Sequence, residues 1–179
     1  MEKLAVFLRG VNVKGTRMKM DELKKALESQ GYKDVNTILA SGNVVLSTDE
    51  DDIDQKDRIQ KAVGSYFEYE ANVVLKTQEQ VENIIAESKK HTIPDGYHHY
   101  ILLSDDDGLA HELQSEFKKC KTAQHEKLII DTYGIYWIVP KGNTLKSDFG
   151  SVILGKKAFK SKLTSRTIAT IEKVYNAMI

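Results

Sequence analysis

Apolar and polar positions along this chain switch between two periods. Over residues 3–11, Leu4, Val6 and Leu8 share one face while Ala5, Phe7 and Arg9 share the other, which predicts a buried strand. Met20, Leu23 and Leu27 then recur at helical spacing, with Gly31 as the C-terminal cap. Residues 35–40 and 44–47 read as two strands joined by the tight turn Ser41-Gly42-Asn43. Ile59, Val63, Tyr66 and Phe67 mark a second helix, and residues 72–76 a fourth strand. Strand-helix-strand-strand-helix-strand is the ferredoxin-like, or split βαβ, order.

A second round follows. Thr77 and Gln80 carry a capping-box signature ahead of Val81, Ile84 and Ile85. Pro94-Asp95-Gly96 turns the chain into a strand over 98–103. Ser104 with Asp107 caps a helix bearing Leu109, Leu113 and Phe117. Residues 127–131 and 135–139 form a hairpin about Thr132-Tyr133-Gly134, and a short helix falls within 150–159. The last helix is expected from near Thr164, with Ile168, Ile171, Tyr175 and Met178 on its buried stripe. The pattern predicts an α+β chain of two tandem ferredoxin-like halves packed together, 1–77 and 78–179. The second half would end in a terminal helix where a fourth strand should stand.

Charge changes this picture locally rather than globally. Lys plus Arg and Asp plus Glu number 26 each, so the chain lacks the basic excess of a general nucleic-acid binder. Yet cations gather at both ends: Arg9, Lys14, Arg17 and Lys19 early, and Lys156, Lys157, Lys160, Lys162 and Arg166 late. One cysteine, Cys120, excludes an internal disulfide framework and fits a reducing cytoplasm. The first apolar run is cut by Arg9 too early for a signal peptide, and no stretch approaches the roughly 20 apolar residues of a membrane helix. A cytoplasmic protein with no membrane association is expected.

Signatures of enzyme chemistry are sparse, and whether the chain is an enzyme stays open. Lys118, Lys119 and Lys121 beside Cys120 would lower its thiol pKa, but no histidine partner is evident. His98 and His99 are neighbours on a strand and so face opposite ways; His91, His111 and His125 are scattered. The acidic run from Asp49 to Asp54 lacks the glycine and closing glutamate of a calcium loop. No metal site, nucleotide fingerprint or other cofactor signature is present, so no cofactor is expected.

The candidate site comes from topology. In a ferredoxin-like half, the end of the first strand, the start of the first helix and the turn between the second and third strands share one edge. That edge would hold Arg9, Gly10, Asn12, Lys14, Gly15, Ser41, Gly42 and Asn43. Hydrogen-bond donors gathered at a helix N-terminus favour phosphate or carboxylate. Arg166, placed in the first turn of the expected last helix, would oppose the helix dipole by roughly 0.3–1 kcal/mol, a conflict that a resident anion relieves. Each residue also has a plainer explanation: an ordinary hairpin turn for Ser41-Gly42-Asn43, an internal carboxylate for Arg9, solvent for Arg166. The first functional reading is a small anionic ligand at this edge. The alternatives are RNA on the sheet face carrying Phe7, or a non-catalytic protein-interaction domain anchored by Tyr97, Tyr100 or Tyr133. The oligomeric state stays open.

LRGVNVKG over residues 8–15, SGNVVL over 41–46 and TSRTIAT over 164–170 resemble an uncharacterised bacterial family, domain of unknown function 1697. The resemblance runs through nearly the whole chain. It implies a cytoplasmic α+β protein of duplicated halves and brings no established activity. Thr167 stands where that family usually has asparagine, and Lys14 replaces the first glycine of its usual Gly-Gly loop.

Overall fold

The computed structural model describes residues 1–11, 17–49 and 54–179. The first half contains β1 (Glu2–Arg9), α1 (Met20–Glu28), β2 (Lys33–Ile38), β3 (Asn43–Thr48), α2 (Gln55–Phe67) and β4 (Asn72–Thr77). The second contains α3 (Gln78–Ser88), β5 (Tyr97–Ser104), α4 (Leu109–Lys119), β6 (Lys127–Ile130), β7 (Ile135–Pro140), α5 (Asp148–Gly155), α6 (Lys157–Lys160), β8 (Leu163–Thr167) and α7 (Ile168–Met178). Two four-stranded antiparallel sheets result, ordered β2-β3-β1-β4 and β6-β7-β5-β8. Both have the ferredoxin-like order, with the first strand of each half at the centre of its sheet. The fold is α+β with two such halves and a C-terminal helix.

The chain forms two compact units, Met1–Glu82 with Glu172–Ile179, and Asn83–Ile171. In the first, Leu4, Val6 and Leu8 of β1 meet Val44 and Leu46 of β3 and Val73 of β4 beneath Leu23, Leu27, Ile59 and Val63 from the two helices. Fully burying such a side chain contributes about 1.5–3 kcal/mol. The other face of β1 is equally dry, Ala5 and Phe7 both being 0% exposed. A buried polar chain ties α2 to the sheet: Tyr32 Oη donates to Gln55 Oε1 at 2.6 Å, and Gln55 Nε2 to Thr48 Oγ1 at 3.3 Å. In the second unit, Leu102, Trp137, Val139 and Leu163 pack against Leu109, Leu113, Phe149 and Ile153. Trp137 Nε1 donates to buried Glu126, whose other oxygen accepts the Ala123 amide.

Two local expectations are corrected. Residues 163–167 form a strand: β8 pairs antiparallel with β5, Leu103 facing Thr164 and Ile101 facing Arg166. The missing fourth strand is therefore present, and the last helix begins at Ile168. A threonine-rich run with alternating burial suits a pleated strand better than a helix start. The cap before α4 also differs. Ser104 Oγ accepts the Asp106 amide and Asp106 Oδ1 accepts that of Gly108, so successive turns, not Asp107, precede the helix. The capping box at α3 forms as expected, Thr77 and Gln80 exchanging side-chain to backbone bonds of 3.0 and 3.3 Å. No helix among the described residues is long and apolar enough to cross a membrane.

Candidate functional site

The turn between β2 and β3 is keyed to the end of β1. Phe7 pairs with Asn43, and the Leu8 amide donates to the Gly42 carbonyl at 2.8 Å. Gly42 has φ +74°, and a Cβ there would lie 2.8 Å from Val11 Cγ2 and 3.0 Å from Leu8 Cβ. Only glycine allows both the left-handed backbone and this close approach. Gly10 shares the φ of +74°, but a Cβ there would meet none of the described residues within 4 Å. Within the turn, Leu39 holds φ +60° while 48% exposed, a conformation costly for a bulky residue.

The donors are distributed unevenly over this rim. Asn43 is fully buried; its amide nitrogen donates to Ile38 O and to Ser41 Oγ, both at 2.9 Å. That amide closes the hairpin from within instead of pointing outward. Arg9 lies two residues past Phe7 of the Phe7–Asn43 pair, opposite Asn72 of β4, and is half-buried. Burial lowers its guanidinium pKa from the usual value. The Lys19 side chain does not cap α1, although Asp21 and Glu22 occupy its first turn and already offset the helix dipole. Asn12, Lys14 and Gly15 lie outside the described residues. Leu39 and Asn72 join the rim without a sequence signal, because both read as ordinary strand residues.

Arg166 belongs to the second unit and Arg9 to the first. Arg166 is buried in β8, its guanidinium donating to Thr164 Oγ1 at 2.7 Å and to the Ser165 carbonyl at 2.8 Å. The helix-dipole conflict expected for it does not arise, because it stands on a strand. Two late lysines are also engaged. Lys156 pairs with Glu116 at 2.8 Å, and Lys162 with Asp106 and Glu112 at 3.4 and 3.3 Å. The Cys120 thiol pKa is raised, by burial first and then by Asp148, Glu116 and Glu126, the reverse of the shift its lysine-rich surroundings predict. Among the described residues no group of three or more His, Cys, Asp or Glu could hold a metal ion. Tyr133 is half exposed, whereas Tyr100 is partly buried and stacks on Trp137 at 5.6 Å, packed against the core.

Comparison with known proteins agrees with this architecture. Residues 1–136 match the family described as Protein of unknown function (DUF1697), to which the chain belongs. The TSRTIAT stretch lies beyond the matched residues. No curated protein matches the sequence. Among solved structures, the conserved bacterial protein SP0830 from Streptococcus pneumoniae is similar, with a TM-score of 0.75, 18% identity and 99% of each chain covered. At that identity the likeness speaks for the fold alone.

Proposed function

We propose that this member of the DUF1697 family is a cytoplasmic protein that binds a small ligand bearing phosphate or carboxylate at the rim formed by the end of β1 and the 39–42 turn. The observation that carries this reading is the half-buried Arg9 two residues beyond Phe7, whose pairing with Asn43 locks the turn to β1. A guanidinium fork matches carboxylate and phosphate oxygens two at a time, and partial burial strengthens each bond it makes to an anion. Leu39 adds support: backbone strain persists where the surroundings over-determine it, and such positions cluster at binding sites. Asp21 and Glu22 occupy the start of α1, so Arg9 rather than that helix end supplies the attraction. A single cysteine fits a reducing compartment. The RNA reading loses its main support, because Phe7 is fully buried and offers no face for a base.

Titration calorimetry of the full chain with inorganic phosphate and with acetate tests the reading. A charged hydrogen bond contributes about 1.5–3 kcal/mol, so Arg9→Ala should weaken binding by about 10- to 150-fold. Arg9→Lys, which keeps the charge and loses the fork, should fall between. Equal affinity in Arg9→Ala, or no binding of either anion by the unmodified chain, would overturn it.

A further inference from the structure

A group of titratable side chains that the rim does not use lies wholly within the second unit. His91, just after α3, and His99 on β5 flank the Pro94-Asp95-Gly96 turn, which folds the chain back on itself. His91 Nδ1 and His99 Nε2 stand 3.1 Å apart. The other nitrogen of His91, Nε2, lies 3.6 Å from Asp131 Oδ2 in the β6–β7 turn. Asp131 Oδ1 is committed to that turn, accepting the amides of Tyr133 at 2.9 Å and Gly134 at 3.0 Å. Its Oδ2 is buried and has no hydrogen-bond partner among the described residues.

The surroundings restrict who can donate. Tyr136 of β7 packs edge-on to His91 at 4.5 Å and lies 5.7 Å from His99, but its hydroxyl donates to the Ile84 carbonyl at 3.0 Å. From α3 and the residues after it, Glu87 and Lys90 face the group and pair with each other at 2.6 Å. Tyr133 adds an ionisable hydroxyl at the turn, and His98 points to the opposite sheet face, opposite Val139. The His91 ring is left as the donor aimed at Asp131.

Proton counting narrows the arrangement to one proton shared between the two facing nitrogens. Two imidazole nitrogens 3.1 Å apart need one proton between them; two would clash, and none would leave lone pairs opposed. An imidazolium at His91 donates Nδ1–H to a neutral His99 and sets its charge 3.6 Å from the buried Asp131 Oδ2. We propose that His91, His99 and Asp131 form a one-proton clasp that fastens the segment after α3 to β5 and the β6–β7 turn, and that a second proton opens it. The behaviour of His99 agrees: burial first, and the charge of His91 second, lower its pKa to about 4.

Long-range proton–nitrogen NMR spectra of the histidine rings, recorded on the full chain across pH, test this without any substitution. The expected spectra show His91 protonated at both nitrogens while His99 remains neutral, with a lone pair at Nε2, down to strongly acidic pH. Two variants separate charge from packing. Asp131→Asn keeps the Oδ1 acceptor for the turn and removes only the charge, so the doubly protonated His91 signature should be lost at a pH where the parent chain retains it. His91→Gln should return His99 titration towards that of an ordinary histidine. If His99 takes the first proton, or if the His91 spectrum in Asp131→Asn matches the parent at every pH, the clasp is overturned.

Discussion

Gly42→Ala tests how the turn is held at the rim. Alanine at φ +74° places its backbone in the left-handed region, at a cost of about 1–2 kcal/mol. Its Cβ would also meet Val11 Cγ2 at 2.8 Å and Leu8 Cβ at 3.0 Å. Relieving such an overlap in a packed site costs about 1–3 kcal/mol more. Gly10→Ala provides the control, since Gly10 has the same φ and a Cβ there would meet none of the described residues within 4 Å. The entropy that alanine removes from the unfolded chain is common to both and cancels in the comparison. Gly42→Ala should therefore lose about 2–5 kcal/mol in total, and exceed Gly10→Ala by the steric part, about 1–3 kcal/mol. Urea unfolding followed by far-UV circular dichroism is the assay, because the single tryptophan, Trp137, reports on the other unit. Equal losses in the two variants would mean that the end of β1 does not close over Gly42, and the rim geometry would fall with it.

Gly150→Ala should be more severe, because its Cβ would lie against the Thr144 carbonyl, 2.9 Å from Ser147 Oγ and 3.0 Å from Trp137 Cη2. A loss of about 3 kcal/mol or more, with a shifted Trp137 emission, is expected on thermal unfolding; parent-like melting would refute the packing described around α5. Tyr32→Phe should cost about 1–3 kcal/mol in urea, because Gln55 Oε1 loses its buried donor. Stability should also fall as pH drops from 6.5 towards 4. In that window unfolded His99 binds a proton that folded His99, with its pKa lowered to about 4, refuses. After solvent screening of a half-shielded ring this amounts to about 1–2 kcal/mol, and His99→Gln should flatten that part of the thermal-melting pH profile.

Most of the architecture was legible because the buried stripes obey one period at a time. Leu4, Val6 and Leu8 alternate along β1, and Leu23 and Leu27 follow a helical spacing on α1, so the order of the first half, and of the second as far as its third strand, follows from spacing. The stretch 163–167 was not legible, because Thr164 is as good a helix cap as a strand residue. Only its pairing with Ile101 and Leu103 of β5 settles the matter. The turn position of Ser41-Gly42-Asn43 was visible, but the inward commitment of Asn43 was not. An asparagine after a glycine can serve a ligand or close its own hairpin, and the choice depends on where the Ile38 carbonyl lies. Cys120 misleads for a similar reason. Its neighbouring lysines are close in sequence, while burial and the carboxylates of Asp148, Glu116 and Glu126 act on it in space. The His91–His99 contact leaves only a faint trace, two histidines on either side of a tight turn.

The rim reading stands or falls on where an anion binds, and amide chemical-shift mapping of the full chain with inorganic phosphate reads that position. Saturable shifts should gather at Leu8, Arg9, Gly10 and the amides of 41–43, and should disappear in Arg9→Ala while the rest of the spectrum is retained. Shifts confined to other parts of the chain, or unchanged by Arg9→Ala, would contradict it.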